Sequence, residues 1–155
     1  MSVYLDASLV VALFINDLST ERAKAAMRRD WPAVIVSDFA AAEFASAIAR
    51  RVRMELLTLE EARGIFIAFD QWMGRAAQRV AIDSTDLLTA TGFLRRLDLN
   101  LRAPDAINIA VSRRVGAQLA TFDDRMGFSA SVLGLELAGA AETPCQPCQC
   151  AVYPL

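Results

Sequence analysis

Four acidic residues stand in neighbourhoods unsuited to solvated charge. Asp6 closes the apolar run Val3-Tyr4-Leu5, Glu43 interrupts an alanine-rich segment, Asp105 opens an apolar one, and Asp123 follows the apolar run 119–122. Carboxylates are seldom buried without a partner. Brought together by folding, they would repel: at an effective dielectric near 20 and roughly 5 Å, each ionised pair costs about 3 kcal/mol. A divalent cation removes that cost, since Mg²⁺ and Mn²⁺ take hard oxygen ligands and accept a few carboxylates plus waters. The acids therefore point to a metal-dependent enzyme. Taken singly, each has a simpler use: Asp6 as the N-cap of a following helix, Glu43 as a solvated helix residue, Asp105 beside a helix dipole, and Asp123 or its neighbour Asp124 in a turn.

The rest of the composition narrows the chemistry. Histidine is absent, which excludes Ser-His-Asp and Cys-His catalysis and zinc sites that use histidine. Any general base is a carboxylate or a metal-bound hydroxide. Cys145, Cys148 and Cys150 all fall in the last eleven residues, where they supply three thiolates but no fourth ligand for a structural zinc. The net charge of −2 and pI of about 5.1 show no whole-molecule attraction to nucleic acid. Lys24 is the only lysine; the other basic residues are arginines, clustered at Arg50-Arg51-Arg53, Arg95-Arg96 and Arg113-Arg114. Those clusters suit phosphates or the C-terminal ends of helices.

Short apolar runs at 3–5, 33–36, 79–82 and 118–121 read as strands. The stretches 8–15, 20–29, 38–53, 59–73, 84–97 and 104–115 read as helices. Thr58 with Glu61 and Asp83 with Asp86 form capping patterns, and Pro104 suits a first helical turn. This alternation predicts an α/β domain with a mainly parallel sheet covered by helices, spanning 1–138. The remaining segment, 139–155, carries Pro144, Pro147 and Pro154 and is expected to be a loose tail. The early apolar run 9–15 is too short to cross a bilayer, which needs about 20 residues, and no basic segment precedes it. A soluble, cytoplasmic protein is expected. In open parallel sheets ligands collect beyond the C-terminal ends of the strands, which sets Asp6 and Asp123 on one rim. Asp105 then sits near a helix N-terminus, and Glu43 reaches the rim from a helix face kept narrow by Ala40, Ala42, Ser46 and Ala47.

The series Tyr4-Leu5-Asp6-Ala7-Ser8, then Glu43, then Asp105-Ala106-Ile107-Asn108-Ile109-Ala110, then Thr121-Phe122-Asp123 resembles the PIN-domain nucleases, and among them the VapC-type toxin ribonucleases of toxin–antitoxin pairs. The likeness runs over 1 to about 135 and does not extend to the cysteine-bearing tail. It implies a three-layer fold, an Mg²⁺ or Mn²⁺ site of Asp6, Glu43, Asp105 and Asp123, and polar supports at Ser8, Asn108 and Thr121. It also implies hydrolysis of RNA to a 5′-phosphate and a 3′-hydroxyl, with one or two metal ions activating water for in-line attack. An acidic centre cannot itself attract a polyanion, so Arg102 and Arg125 are candidates for RNA contact. The same likeness suggests a homodimer inhibited by an antitoxin protein. The helix at 59–73, with Ile65, Phe66, Phe69, Trp72 and Met73, offers apolar bulk beyond one buried stripe for that partner to cover.

Other functions fit the residues less well. A haloacid-dehalogenase phosphatase needs a second Asp where Ser8 stands, and a receiver domain needs a lysine after a late strand. A PIN-like DNA nuclease and a catalytically inactive PIN-like module that binds RNA or antitoxin stay open as alternatives. Neither the RNA target nor the antitoxin is named by these motifs.

Overall fold

The computed structural model describes residues 1–15, 19–29 and 31–138; the expected tail at 139–155 and its cysteines lie outside the described residues. In chain order the elements are β1 (Val3–Leu5), α1 (Ala7–Phe14), α2 (Thr20–Met27), β2 (Val34–Ser37), α3 (Asp38–Arg53), α4 (Leu59–Ala76), β3 (Gln78–Val80), α5 (Ser84–Leu94), α6 (Ala103–Arg114), β4 (Gln118–Ala120) and α7 (Asp124–Val132). The four strands form one parallel sheet in the order β3-β2-β1-β4. Val3 pairs with Val34 on one side and Gln118 on the other, which makes β1 a central strand.

Successive side chains of a strand point to opposite faces, and here this alternation divides the core in two. Val3, Leu5, Val36 and Ala120 join the cluster formed with α1, α3 and α4, whereas Tyr4, Ile35 and Leu119 join the one formed with α5, α6 and α7. The result is the three-layer α/β arrangement expected, with the sheet in the middle. A strand buried on both faces reads as an unbroken apolar run, as β1 does.

Helix patterning explains the first layer. In α3, Ala40, Phe44 and Ile48 recur at four-residue spacing and are buried, so the helix turns one stripe to the sheet and leaves Glu43 beside it. Phe44 stacks on Phe69 of α4 at 4.4 Å between ring centroids, and Phe14 of α1 meets both rings edge-on at 5.7 Å. Burying a Phe of this kind contributes about 1.5–3 kcal/mol. Thr58–Glu61 and Asp83–Asp86 both close the reciprocal capping boxes read from the sequence.

Several elements differ from the sequence reading; the helix expected at 84–97, for one, ends at Leu94. The strand expected at 79–82 runs from Gln78 to Val80, and α4 continues to Ala76. The helix α7 was not anticipated; Gly127 and three serine or valine positions weaken its propensity, but Met126, Gly127, Ser129 and Ala130 are buried, so packing supplies what propensity lacks.

Candidate active site at the C-terminal rim of the sheet

Asp6 follows the last residue of β1 and caps α1. Its Oδ1 accepts from the Ser8 hydroxyl at 2.8 Å and from the Leu9 N–H at 3.1 Å, and its Oδ2 accepts from the Thr121 hydroxyl at 2.9 Å. The residue is only 4 % exposed. Burial raises its pKa above the usual carboxylate range, and the bonds from Leu9, Ser8 and Thr121 offset only part of that. Ser8 and Thr121 each do a second job: Ser8 Oγ accepts from the Phe122 N–H at 2.9 Å, and Thr121 Oγ1 accepts from the Asp123 N–H at 3.0 Å. The loop after β4 is thereby stitched to the loop after β1, placing Asp6 and Asp123 on the same rim.

Glu43 arrives from α3. Its Oε2 accepts from Asn108 Nδ2 of α6 at 2.7 Å. Burial raises the Glu43 pKa first; the Asn108 bond lowers it, and the negative charges of Asp6 and Asp105 raise it further. Glu43 is thus within electrostatic range of both Asp6 and Asp105. Asp105, near the N-terminus of α6, accepts the Arg102 backbone N–H at 2.9 Å through Oδ2. Asp123 caps α7: Oδ1 takes the N–H groups of Arg125 and Met126 at 2.9 and 3.2 Å, and Oδ2 takes the Arg125 guanidinium at 3.3 Å. Burial raises its pKa, but the Met126 and Arg125 hydrogen bonds and the Arg125 charge outweigh it and hold the group below the ordinary value. Asp124 is exposed on the first turn of α7.

Each acid therefore has local donors, and no three Asp, Glu, Cys or His side chains among the described residues are gathered closely enough to hold one ion together. The structure brings Glu43 into range of Asp6 and Asp105 and links Asp123 to Asp6 through Thr121, while Asp105 and Asp123 turn toward their own helix ends. The donor set nonetheless suits a hard dication. It is made of carboxylates, Asp6 is buried with no cation beside it among the described residues, and the negative charges of Asp6 and Asp105 both bear on Glu43.

Two features escaped the sequence reading. The Tyr4 hydroxyl donates to Asn108 Oδ1 at 2.6 Å and lies 2.7 Å from Ser37 Oγ, which also accepts the Ala40 N–H at 3.0 Å as the N-cap of α3. Since the single Tyr4 proton goes to Asn108, Ser37 donates its own to Tyr4. This buried relay orients the amide so that Nδ2 faces Glu43. Burial pushes the Tyr4 phenol far above its usual pKa, so the donor stays protonated. The second feature is Asp86, 1 % exposed, which takes a bidentate ion pair from Arg114 at 2.7 and 2.9 Å. The capping pattern at Asp83 was visible in sequence; the arginine partner 28 positions away was not.

The sequence matches the PIN domain family over residues 3–130, and the chain belongs to that family. Comparison with curated proteins gives no significant match. Solved structures show the same fold. Mycobacterium tuberculosis VapC20, described as a sarcin-ricin loop cleaving toxin, is 22% identical with a TM-score of 0.68, covering 86% of this chain and 96% of its own. FitAcB from Neisseria gonorrhoeae is 14% identical with a TM-score of 0.64, covering 87% of this chain and 95% of its own. A toxin–antitoxin complex from Klebsiella pneumoniae is 18% identical with a TM-score of 0.54, covering 77% and 85%.

Proposed function

We propose that this chain is an Mg²⁺- or Mn²⁺-dependent endoribonuclease that hydrolyses RNA phosphodiester bonds as the toxin of a toxin–antitoxin pair. Family membership supports a nuclease, and the descriptions of the similar structures support a toxin. The observation that carries the metal reading is Asp6, a carboxylate buried at the rim whose charge reaches Glu43, with hydroxyl and amide donors but no cation among the described residues.

Asp6, Glu43, Asp105 and Asp123 would hold the metal jointly, one or two directly and the others through waters the ion retains, since no three of them are gathered closely enough to bind it directly. When bound, it supplies a water of lowered pKa and a counter-charge for the leaving oxygen. The protein's own contribution is orientation. Ser8 and Thr121 restrain the two oxygens of Asp6, Asn108 restrains Glu43, and the Tyr4–Ser37 pair restrains Asn108. The raised pKa values of Asp6 and Glu43 mean that without metal both take up protons above the ordinary carboxylate range, so protons would compete with the metal for these ligands toward acid pH. Arg125 already engages Asp123, and a metal there would release its guanidinium for the strand. Arg102 is exposed at the start of α6.

An antitoxin would be seated in the groove of about 380 Å³ lined by Leu13, Phe14, Lys24, Met27, Arg28 and Trp72. Its apolar floor and two cations suit an amphipathic segment bearing acids. We place the active form in the cytoplasm as a homodimer; no described helix is long and apolar enough to cross a membrane.

The test is cleavage of a structured RNA pool with Mg²⁺ or Mn²⁺, beside single- and double-stranded DNA, with EDTA and Asp6→Asn as controls. RNA cut only with metal and only by the native chain is expected. DNA cut in preference to RNA would make it a PIN-like DNA nuclease. Binding to RNA without turnover would make it an inactive module.

A further inference from the structure

Beyond the acids, the outer face of α3 carries a groove of about 470 Å³ lined by Glu43, Ser46, Ala47, Arg50, Arg51, Met54 and Leu56. The α3 positions recur at helical spacing, so they form one stripe leading away from the acidic rim. Glu43 belongs to both the rim and the groove, which makes the two continuous.

We infer that this groove is the track for the RNA strand flanking the scissile bond, with Arg50 holding a backbone phosphate; the inference rests on the RNA-hydrolase reading above. Three observations carry it. First, charge changes sign along the stripe. Seven residues at about 1.5 Å rise put Arg50 roughly 10 Å along the axis from Glu43, far enough to avoid neutralising the acids and near enough for the neighbouring phosphates of the same strand. Second, Arg50 is exposed, and no carboxylate among the described residues pairs with it, whereas Arg125 is tied to Asp123 and Arg114 to Asp86. Third, the floor between acid and arginine is Ser46 and Ala47, too small to obstruct a strand. At the far end, Met54 and Leu56 are 55% and 64% exposed and offer an apolar face to an unstacked base. The cluster, for which the sequence left phosphate binding and a helix C-terminus both open, lies in the last turn of α3 and has, on this view, a ligand as well.

The test is fluorescence anisotropy of a labelled, mixed-sequence single-stranded RNA in EDTA, where no cleavage occurs, across a salt series. Native chain, Arg50→Ala, Arg50→Lys and, as an off-groove control, Arg75→Ala are compared. Arg50→Ala is expected to weaken binding about tenfold, with the salt slope shallower by about 0.7, the value for one lost phosphate contact on a single strand. Arg50→Lys should keep the slope and lose part of the affinity, because the charge remains while the fork is gone. Arg75→Ala should match the native chain. Unchanged affinity and slope for Arg50→Ala, or no binding by the native chain, would overturn the inference. So would a change in oligomeric state of Arg50→Ala in light scattering, since the groove would then be an interface between copies. The two readings separate: cleavage that proceeds with Arg50→Ala binding normally removes the groove alone, whereas Arg50-dependent binding without cleavage removes the hydrolase and, with it, the scissile bond this track would flank, leaving only an RNA-binding groove.

Discussion

Asn108 holds Glu43 across 65 positions of chain: its Nδ2 donates to Glu43 Oε2 at 2.7 Å, while its Oδ1 takes the Tyr4 hydroxyl at 2.6 Å. The amide cannot turn over without losing both bonds. A candidate ligand on one layer of the fold is therefore aimed by a tyrosine of the central strand through a helix of the opposite layer.

Removing the Tyr4 hydroxyl tests that relay. Tyr4→Phe keeps the ring in its pocket, leaves Ser37 and Asn108 each short of one bond, and should cost about 1–2 kcal/mol of stability. Activity should fall about tenfold in kcat with little change in KM, and titration with Mn²⁺ should show weaker binding. A native kcat in the folded variant would mean that Glu43 needs no such support.

Asp6 makes a prediction opposite to the usual effect of deleting an active-site group. Burial holds its pKa above the unfolded value, so folding favours the protonated form. The stability this provides is present below the unfolded pKa and is lost as pH rises through the folded one. Asp6→Asn has no proton to lose and keeps an acceptor for Leu9. In EDTA the variant should match the native chain in acid and become the more stable of the two as pH rises through that window. Mg²⁺ at about a hundredfold excess over its Kd should then add about 2.7 kcal/mol to the native chain and little to the variant. Thermal melts across pH, with and without metal, decide it; a variant less stable at neutral pH in EDTA would contradict the account.

Asp86 is the contrasting buried acid, since its charge is met by Arg114. Arg114→Ala would strand it at 1 % exposure. Breaking such a pair costs about 3–5 kcal/mol; with the arginine side chain a third exposed, the lower end, about 3 kcal/mol, is expected. Replacing both partners, as in Arg114→Met with Asp86→Leu, should restore most of the loss. Denaturant unfolding measures it, and a single variant as stable as the native chain would mean that the pair contributes nothing.

The aromatic residues of α4 divide by role. Phe69 is 7% exposed and stacked on Phe44, so Phe69→Ala should destabilise the fold by about 3–5 kcal/mol. Trp72 lies half-buried on the groove proposed for the antitoxin, 5.7 Å from Phe14. Trp72→Ala should keep a cooperative melt and weaken binding of a cognate antitoxin by ten- to a hundredfold, on the scale of a hot-spot tryptophan. Native affinity, measured calorimetrically, would move the partner elsewhere.

By itself the sequence determined most of the scaffold. The apolar run at 3–5 read as a strand, 38–53 read as one helix, and the capping patterns at Thr58 and Asp83 marked two helix starts, while the central place of β1 and the buried stripe of α3 came from the packing. Element type and helix start are local matters, governed by periodicity and by partners three or four residues away. It also placed Asp6 at a strand end and Asp105 in a first helical turn. The tertiary structure alone decided which polar atoms meet: Tyr4 with Asn108, Asn108 with Glu43, Thr121 with Asp6, and Arg114 with Asp86. Periodicity states which face is buried but not which donor lies across the interface. It also could not show that Arg125 is drawn to Asp123 while no carboxylate among the described residues pairs with Arg50. Burial then converts those meetings into energy, because removing water leaves each carboxylate with the donors that packing happens to bring.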